Sequence, residues 1–135
     1  MYVTDTHPLI WYLLEDYRRL SPAVKNIFDE AVIDRRTAII VPVAVLWELS
    51  LNIKTKPGKI RLTGSYREVT DRLFSIPTFI EEPVTQRIVA RSHDLDFHND
   101  PFDTLIVATA IEKELPLITN DSVIQKKRPC KLIWD

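Results

Sequence analysis

Apolar positions along this chain follow two rhythms: short unbroken runs of β-branched and aliphatic residues, and longer stretches with apolar residues three and four apart. The first fits strands buried on both faces, and the second fits helices with one apolar stripe. "MYVT" (1–4) predicts a short strand and "HPLIWYLLEDY" (7–17) a helix. "SPAVKNIFDEAVIDRR" (21–36) predicts a second helix, with Ser21 at its N-cap and Pro22 at its first position. "TAIIV" (37–41) is a β-branched strand, and Pro42 can begin the helix "VAVLWELSLNIK" (43–54), which a "KPGK" turn ends. A helix over 65–76, a strand over 78–82 and a helix over 83–95 starting on Pro83 come next. "PFDTLIVATAIEKE" (101–114) is helical, "PLIT" (116–119) a strand, "DSVIQKK" (121–127) a short helix and "KLIWD" (131–135) a last strand. Short strands separated by helices predict an α/β fold with a mostly parallel sheet covered on both faces.

Length and composition narrow this picture. A chain of 135 residues without repeats, linkers or low-complexity tracts fits a single domain, 1–135, large enough to bury one core. With 45% hydrophobic and 27% charged residues it is neither disordered nor fibrous. One cysteine, Cys130, excludes an internal disulfide and a cysteine-held zinc, which points to a reducing, cytoplasmic setting. No export signal or membrane span is expected, because Asp5, His7 and Glu15 interrupt the N-terminal apolar run. The net charge of −1 gives no sign of a nucleic-acid binder, although "KTKPGKIR" (54–61) and "QKKRPCK" (125–131) are locally basic. Either is a phosphate contact or simply a solvated turn and tail.

The carboxylates carry the chemistry. Asp5 follows the first strand and Asp121 follows "LIT" with one residue between, and ligand sites in such sheets lie at the carboxyl ends of strands. Each is also a natural helix N-cap. In "HNDPFDTLIVATA" (98–110), Asp100 falls at the N-cap before Pro101 and needs no further role. Asp103 differs, because it shares a helix face with Ile106, Val107 and Ala110, the stripe expected to face the core. A third-position carboxylate can also reach back to the cap. Glu48 sits among Ala44, Val45 and Leu51 with no cation one turn away. Buried carboxylates need compensation, and an oxygen-only donor set suits a hard divalent cation such as Mg²⁺ or Mn²⁺. No Ser/His/Asp or Cys/His arrangement stands out as a nucleophilic alternative.

The stretches "DTHPLIWYL", "VLWELSLNIKTKPGKIRL", "HNDPFDTLIVATA", "LPLITNDSVI" and "KLIW", in this order and over nearly the whole chain, resemble the PIN-domain family, in particular VapC-type toxin ribonucleases of toxin–antitoxin pairs. The resemblance implies an α/β/α sandwich and a metal-dependent endoribonuclease. Its acidic positions match Asp5, Glu48, Asp103 and Asp121, with Asp100 a nearby extra carboxylate. These positions would serve as both metal ligands and catalytic residues: Asp5 and Asp103 for a principal ion, Asp121 for a second ion or a water, Glu48 for the attacking water. Thr6, Asp100 and Thr119 would support the ligands or contact substrate, the two threonines by orienting neighbouring carboxylates, while His7 and His98 read as ordinary polar histidines. Lys54, Lys56, Lys59 and Arg61 would steer an RNA backbone. Related sequences commonly carry arginine where this chain has Thr104, which bears on substrate binding or regulation and removes no ligand. A homodimer and a cognate antitoxin are the implied partners, with an apolar groove near "LIWYLL" and "AVKNIF" as a contact or simply as core. Three rivals stand beside this reading. They are a catalytically silent PIN-like binding module, a receiver domain lacking a well-placed lysine, and a helical phosphohydrolase suggested by His93–Asp94.

Overall fold

The computed structural model describes residues 1–96 and 100–135. Strands β1 (Tyr2–Thr4), β2 (Ile39–Pro42), β3 (Phe79–Glu82), β4 (Leu117–Ile118) and β5 (Leu132–Ile133) form one sheet in the order β3-β2-β1-β4-β5. Every neighbouring pair is parallel, with Tyr2 opposite Ile39, Val3 opposite Leu117 and Phe79 opposite Ile39. Val3, Ile39, Ile40, Val41, Leu117 and Ile118 are almost wholly buried. Burial on both faces explains why these strands read as continuous apolar runs and not as alternating ones.

Helices α1 (Thr6–Leu13), α2 (Pro22–Asp29), α3 (Val43–Thr55), α4 (Tyr66–Phe74), α5 (Gln86–Asp94), α6 (Pro101–Lys113) and α7 (Ser122–Lys127) flank the sheet in an α/β/α arrangement. Helix α3 packs on α1 and α6, α5 packs on α6, and α4 packs on β3. Helix α6 is buried on most of its circumference from Ile106 to Ala110, because it lies between the sheet and its neighbouring helices. No helix among the described residues is long and apolar enough to cross a membrane.

Several boundaries depart from the sequence-based expectation. The helix expected over 7–17 stops at Leu13, and Glu15 adopts a left-handed conformation before a 3₁₀ turn over Tyr17–Arg19. The helix expected over 21–36 is regular only to Asp29, then widens into a π turn over Glu30–Asp34 that ends on left-handed Arg35. Pro83 does not open α5. β3 pairing keeps the chain extended through Glu82, and the Thr85 hydroxyl accepts the Ile88 N–H, so the helix begins at Gln86. The last strand is only Leu132–Ile133. Ser21 caps α2 as expected, accepting from the Val24 N–H at 3.2 Å.

Candidate metal centre

Strand order reverses at β1: the chain moves outward to β2 and β3 on one side and returns to β4 and β5 on the other. The crevice beyond the carboxyl ends of β1 and β4 is therefore the topological switch point, where parallel sheets place their ligands. Asp5 directly follows β1, and its N–H donates to the Ile118 carbonyl at 2.9 Å, so the ladder itself fixes the residue. Its Oδ1 accepts the Thr6 N–H at 2.8 Å and its Oδ2 accepts the Thr119 hydroxyl at 2.6 Å. Thr119 in turn accepts the Asp121 N–H at 3.0 Å, and Asp121 caps α7 through the Ile124 N–H at 2.9 Å. The cap role expected for both aspartates is real, and so is their placement at the crevice.

Helices α3 and α6 bring the remaining acids to the same place. Glu48, part-way along α3, accepts a hydrogen bond from the Thr6 hydroxyl. Asp100 caps α6, accepting the Phe102 N–H at 2.8 Å and the Asp103 N–H at 3.4 Å. Asp103 is only 8% exposed and shares its face with fully buried Ile106 and Val107, as the spacing predicted. Ligand oxygens of Glu48, Asp100 and Asp103 all lie within 4.8 Å of one another. Asp5 and Asp121 stand outside this trio, yet near enough for both their charges to act on Asp103. Of the four acids singled out from the sequence, Glu48 and Asp103 cluster with Asp100, while Asp5 and Asp121 act on Asp103 through their charge. From the sequence, Asp100 is a helix cap and a supporting or substrate-contacting carboxylate beside the ligands, not a member of the ligand set. The i, i+3 relation to Asp103 was the signal that both carboxylates would share one helix end.

Crowding of like charge shows in the proton affinities. Burial pushes Asp103 up to about 8 from an ordinary 3.8, and Asp5, Asp100, Asp121 and Glu48 add to it. Burial also raises Asp5, against the lowering effect of the Thr119 and Thr6 hydrogen bonds and of His7. Glu48 is raised by burial and by Asp5 and Asp100, partly offset by Thr6 and His7.

The donor set fits a hard divalent cation. Three oxygens within 4.8 Å of one another lie at most about 2.8 Å from a common centre, so a side-chain shift of a few tenths of an ångström brings them to the roughly 2.0–2.6 Å at which Mg²⁺ or Ca²⁺ binds oxygen. The trio offers carboxylate oxygen only, without the thiolate or imidazole that favours zinc. A dication would also relieve the repulsion that raises Asp103.

Other expectations resolve as follows. Thr104 bonds within its own helix, its hydroxyl donating to the Pro101 carbonyl at 3.1 Å. His7 is exposed beside the acids, and His98 lies outside the described residues. Lys56 and Lys59 line a cleft next to His7, whereas Lys54 and Arg61 do not. Much of "LIWYLL" and "AVKNIF" is core, with Leu9, Val24 and Phe28 fully buried. Tyr12, Leu13 and Leu14 instead line an apolar cleft of about 340 Å³ together with Val69 and Leu73 of α4.

The comparisons with known proteins agree with this architecture. No curated protein aligns with the chain at a significant level. Among solved structures, VapBC2 from Rickettsia felis, bound to a DNA fragment from their promoter, matches with a TM-score of 0.68 at 17% identity, over 99% of this chain and 98% of that chain. DNA-bound VapBC from Salmonella typhimurium matches with a TM-score of 0.67 at 12% identity, over 98% and 96%. A toxin–antitoxin complex from Klebsiella pneumoniae gives 0.62 at 18% identity, again over 98% and 96%. At such identities the likeness is one of fold. The family model described as "PIN domain" matches residues 2–128, which spans β1 through α7 and every carboxylate of the crevice, and the chain belongs to the PIN-domain family.

Proposed function

We propose that this chain is a Mg²⁺- or Mn²⁺-dependent endoribonuclease and the toxin of a toxin–antitoxin pair. The observation that carries the reading is the convergence of Glu48, Asp100 and Asp103 within 4.8 Å, with Asp5 and Asp121 acting on them, in a PIN-domain chain. Asp5, Glu48, Asp103 and Asp121 would hold the metal, with Asp100 as a further ligand. When bound, a dication neutralises charge on the phosphoryl oxygens, acidifies water and stabilises the leaving oxygen.

The side chains supply the rest. Hydrolysis forms one oxygen–phosphorus bond, breaks one ester bond, takes a proton from the attacking water and returns one to the leaving oxygen. Glu48, raised by burial, is a stronger base near neutral pH than an exposed carboxylate. Thr6 engages its Oε1, so Oε2 is the atom to receive the proton. Thr119 and the Thr6 N–H hold Asp5 in one orientation. The Cys130 thiol, pushed up to about 11 by burial, is not a nucleophile here.

On this reading residues 1–135 act as a single nuclease domain in the cytoplasm, as a homodimer silenced by a cognate antitoxin. Support for that partner comes from the toxin–antitoxin complex matched over 98% of this chain. The apolar cleft beside Tyr12 and Leu73 offers it a face. The test is cleavage of mixed RNA substrates by the purified protein with Mg²⁺, Mn²⁺ or EDTA, alongside Asp103→Asn. Metal-dependent cutting that disappears in the variant is the expected result. No cutting together with no metal binding overturns it and leaves a catalytically silent PIN-like module.

A further inference from the structure

A second cleft, of about 430 Å³, lies between α1 and the C-terminal turn of α3 with the loop that follows. Its volume lies in the range of pockets that take small organic groups. One end is formed by His7 and Asn52, which neighbour the residues of the acidic crevice along the chain and along α3. His7 directly follows Thr6, the residue that holds Glu48, and its charge acts on both Asp5 and Glu48. Asn52 lies one turn beyond Glu48 on α3, so the two share a helix face.

The other end is basic. Arg19, Lys56 and Lys59 line it, and all three are exposed. The one carboxylate in the lining, Asp16, is paired with Arg19 at 3.0 Å, so positive charge dominates. Trp11 lies in the same wall. Its ring is held edge-on by Trp134 at 6.2 Å, with the His7 ring and the Arg19 guanidinium each 5.8 Å from it. An aromatic surface interleaved with cations matches the alternation of bases and phosphates in a single strand, whereas duplex bases are already stacked on one another.

We propose that this cleft is the track along which single-stranded RNA reaches the carboxylates, with one base packed on Trp11 and the adjacent phosphates held by Lys56 and Lys59. The inference rests on the nuclease reading for the direction of the track, and its binding chemistry stands independently of cleavage. The cleft explains how a chain of net charge −1 with an acidic site would hold a polyanion. Lys56 lies eight residues beyond Glu48, about 12 Å along the helix axis, so attraction and repulsion act at separate ends and each is short-range at physiological salt.

The test is fluorescence anisotropy of a labelled, uncleavable 2′-O-methyl oligonucleotide in EDTA, with the wild type and three variants. Trp11→Leu is expected to weaken binding by roughly 5- to 150-fold, the effect of losing one stacked base. Lys56→Glu with Lys59→Glu is expected to weaken it and to flatten the salt dependence by about 0.7 per phosphate lost. Arg36→Glu with Arg67→Glu, at exposed positions outside the cleft, should bind like the wild type. Should Trp11→Leu fail to fold, the lysine pair, at exposed positions, still decides the matter.

Binding unchanged in the lysine variant, or weakened equally by the Arg36/Arg67 pair, overturns the track. So does loss of a protein partner in the cleft variants while oligonucleotide binding is retained, which assigns the cleft to protein. A wild type that cuts RNA, with cleft variants that bind and cut equally well, refutes the track and spares the nuclease. Cleft-dependent binding without metal-dependent cutting does the reverse.

Discussion

Asp29 and Asp103 are the same residue type in opposite circumstances. Asp29, on the outer side of α2, receives the Lys25 ammonium at 2.6 Å and the Tyr12 hydroxyl at 2.9 Å. Burial pushes it up, but these two partners outweigh burial and hold the carboxyl below its ordinary value. Asp103 lies in a crevice with four other carboxylates and is pushed up to about 8 by burial and their charge. The first arrangement favours the folded protein as it stands. The second is costly without a cation, and a fold retains such a cost where chemistry uses it.

The comparison is broken most completely at the crevice. On the nuclease reading proposed above, Asp103→Asn reduces metal-dependent RNA cleavage by about 100-fold or more, judged against the loss typical for residues that merely support a ligand. Asp29→Asn should leave the cleavage rate unchanged. Next in size is Thr119→Val, which keeps shape but removes the donor on Asp5; metal affinity or activity should fall by roughly 10- to 100-fold, read from a Mg²⁺ titration. Tyr12→Phe, which removes one donor on Asp29, should not move that titration.

Opposite slopes in pH sharpen the contrast further. In metal-free protein, Asp103 holds its proton when folded up to about 8 and only to about 3.8 when unfolded. The folded state therefore binds more protons in between, and stability is highest below about 3.8 and falls as pH rises toward 8. Asp29 acts the other way: its contribution is present above 3.8 and is lost as pH falls through its lowered value. Urea melts across pH should show both slopes, with Asp103→Asn flattening the neutral one and Asp29→Asn the acidic one. On the proposed metal-site reading, Mg²⁺ would compete with the Asp103 proton, so its stabilising effect should grow up to about pH 8. Least affected of all is a surface pair such as Arg91–Glu112, at 2.8 Å, where Glu112→Gln should cost about 0.2–1 kcal/mol and leave metal binding intact.

Among the acids, legibility varied with how local the cause was. Asp103 was readable because helical periodicity alone puts it in line with Ile106 and Val107. Asp5 and Asp121 were readable because strand ends in parallel sheets are ligand sites. Asp100 was half read: its cap is local and visible, whereas its approach to Glu48, 52 positions away, depends on how α3 packs on α6. Helix starts on Pro22 and Pro101 were legible from capping chemistry, but the expected start at Pro83 was not, because strand pairing at Glu82 is a tertiary fact.

By itself, the sequence determined the α/β class, most of the elements and the placing of Asp5, Asp103 and Asp121 at strand ends or on a buried helix face, since each follows from periodicity, capping or residue chemistry within a few positions. Tertiary structure alone decided the strand order that opens the crevice at β1 and β4. It also decided which surface adjoins that crevice. Trp11 lies more than forty positions from Lys56 and Lys59, and Trp134 reaches back from the C-terminus to brace Trp11. No local pattern encodes such meetings, because they arise from the shape in which packed helices and sheet bury their apolar faces together.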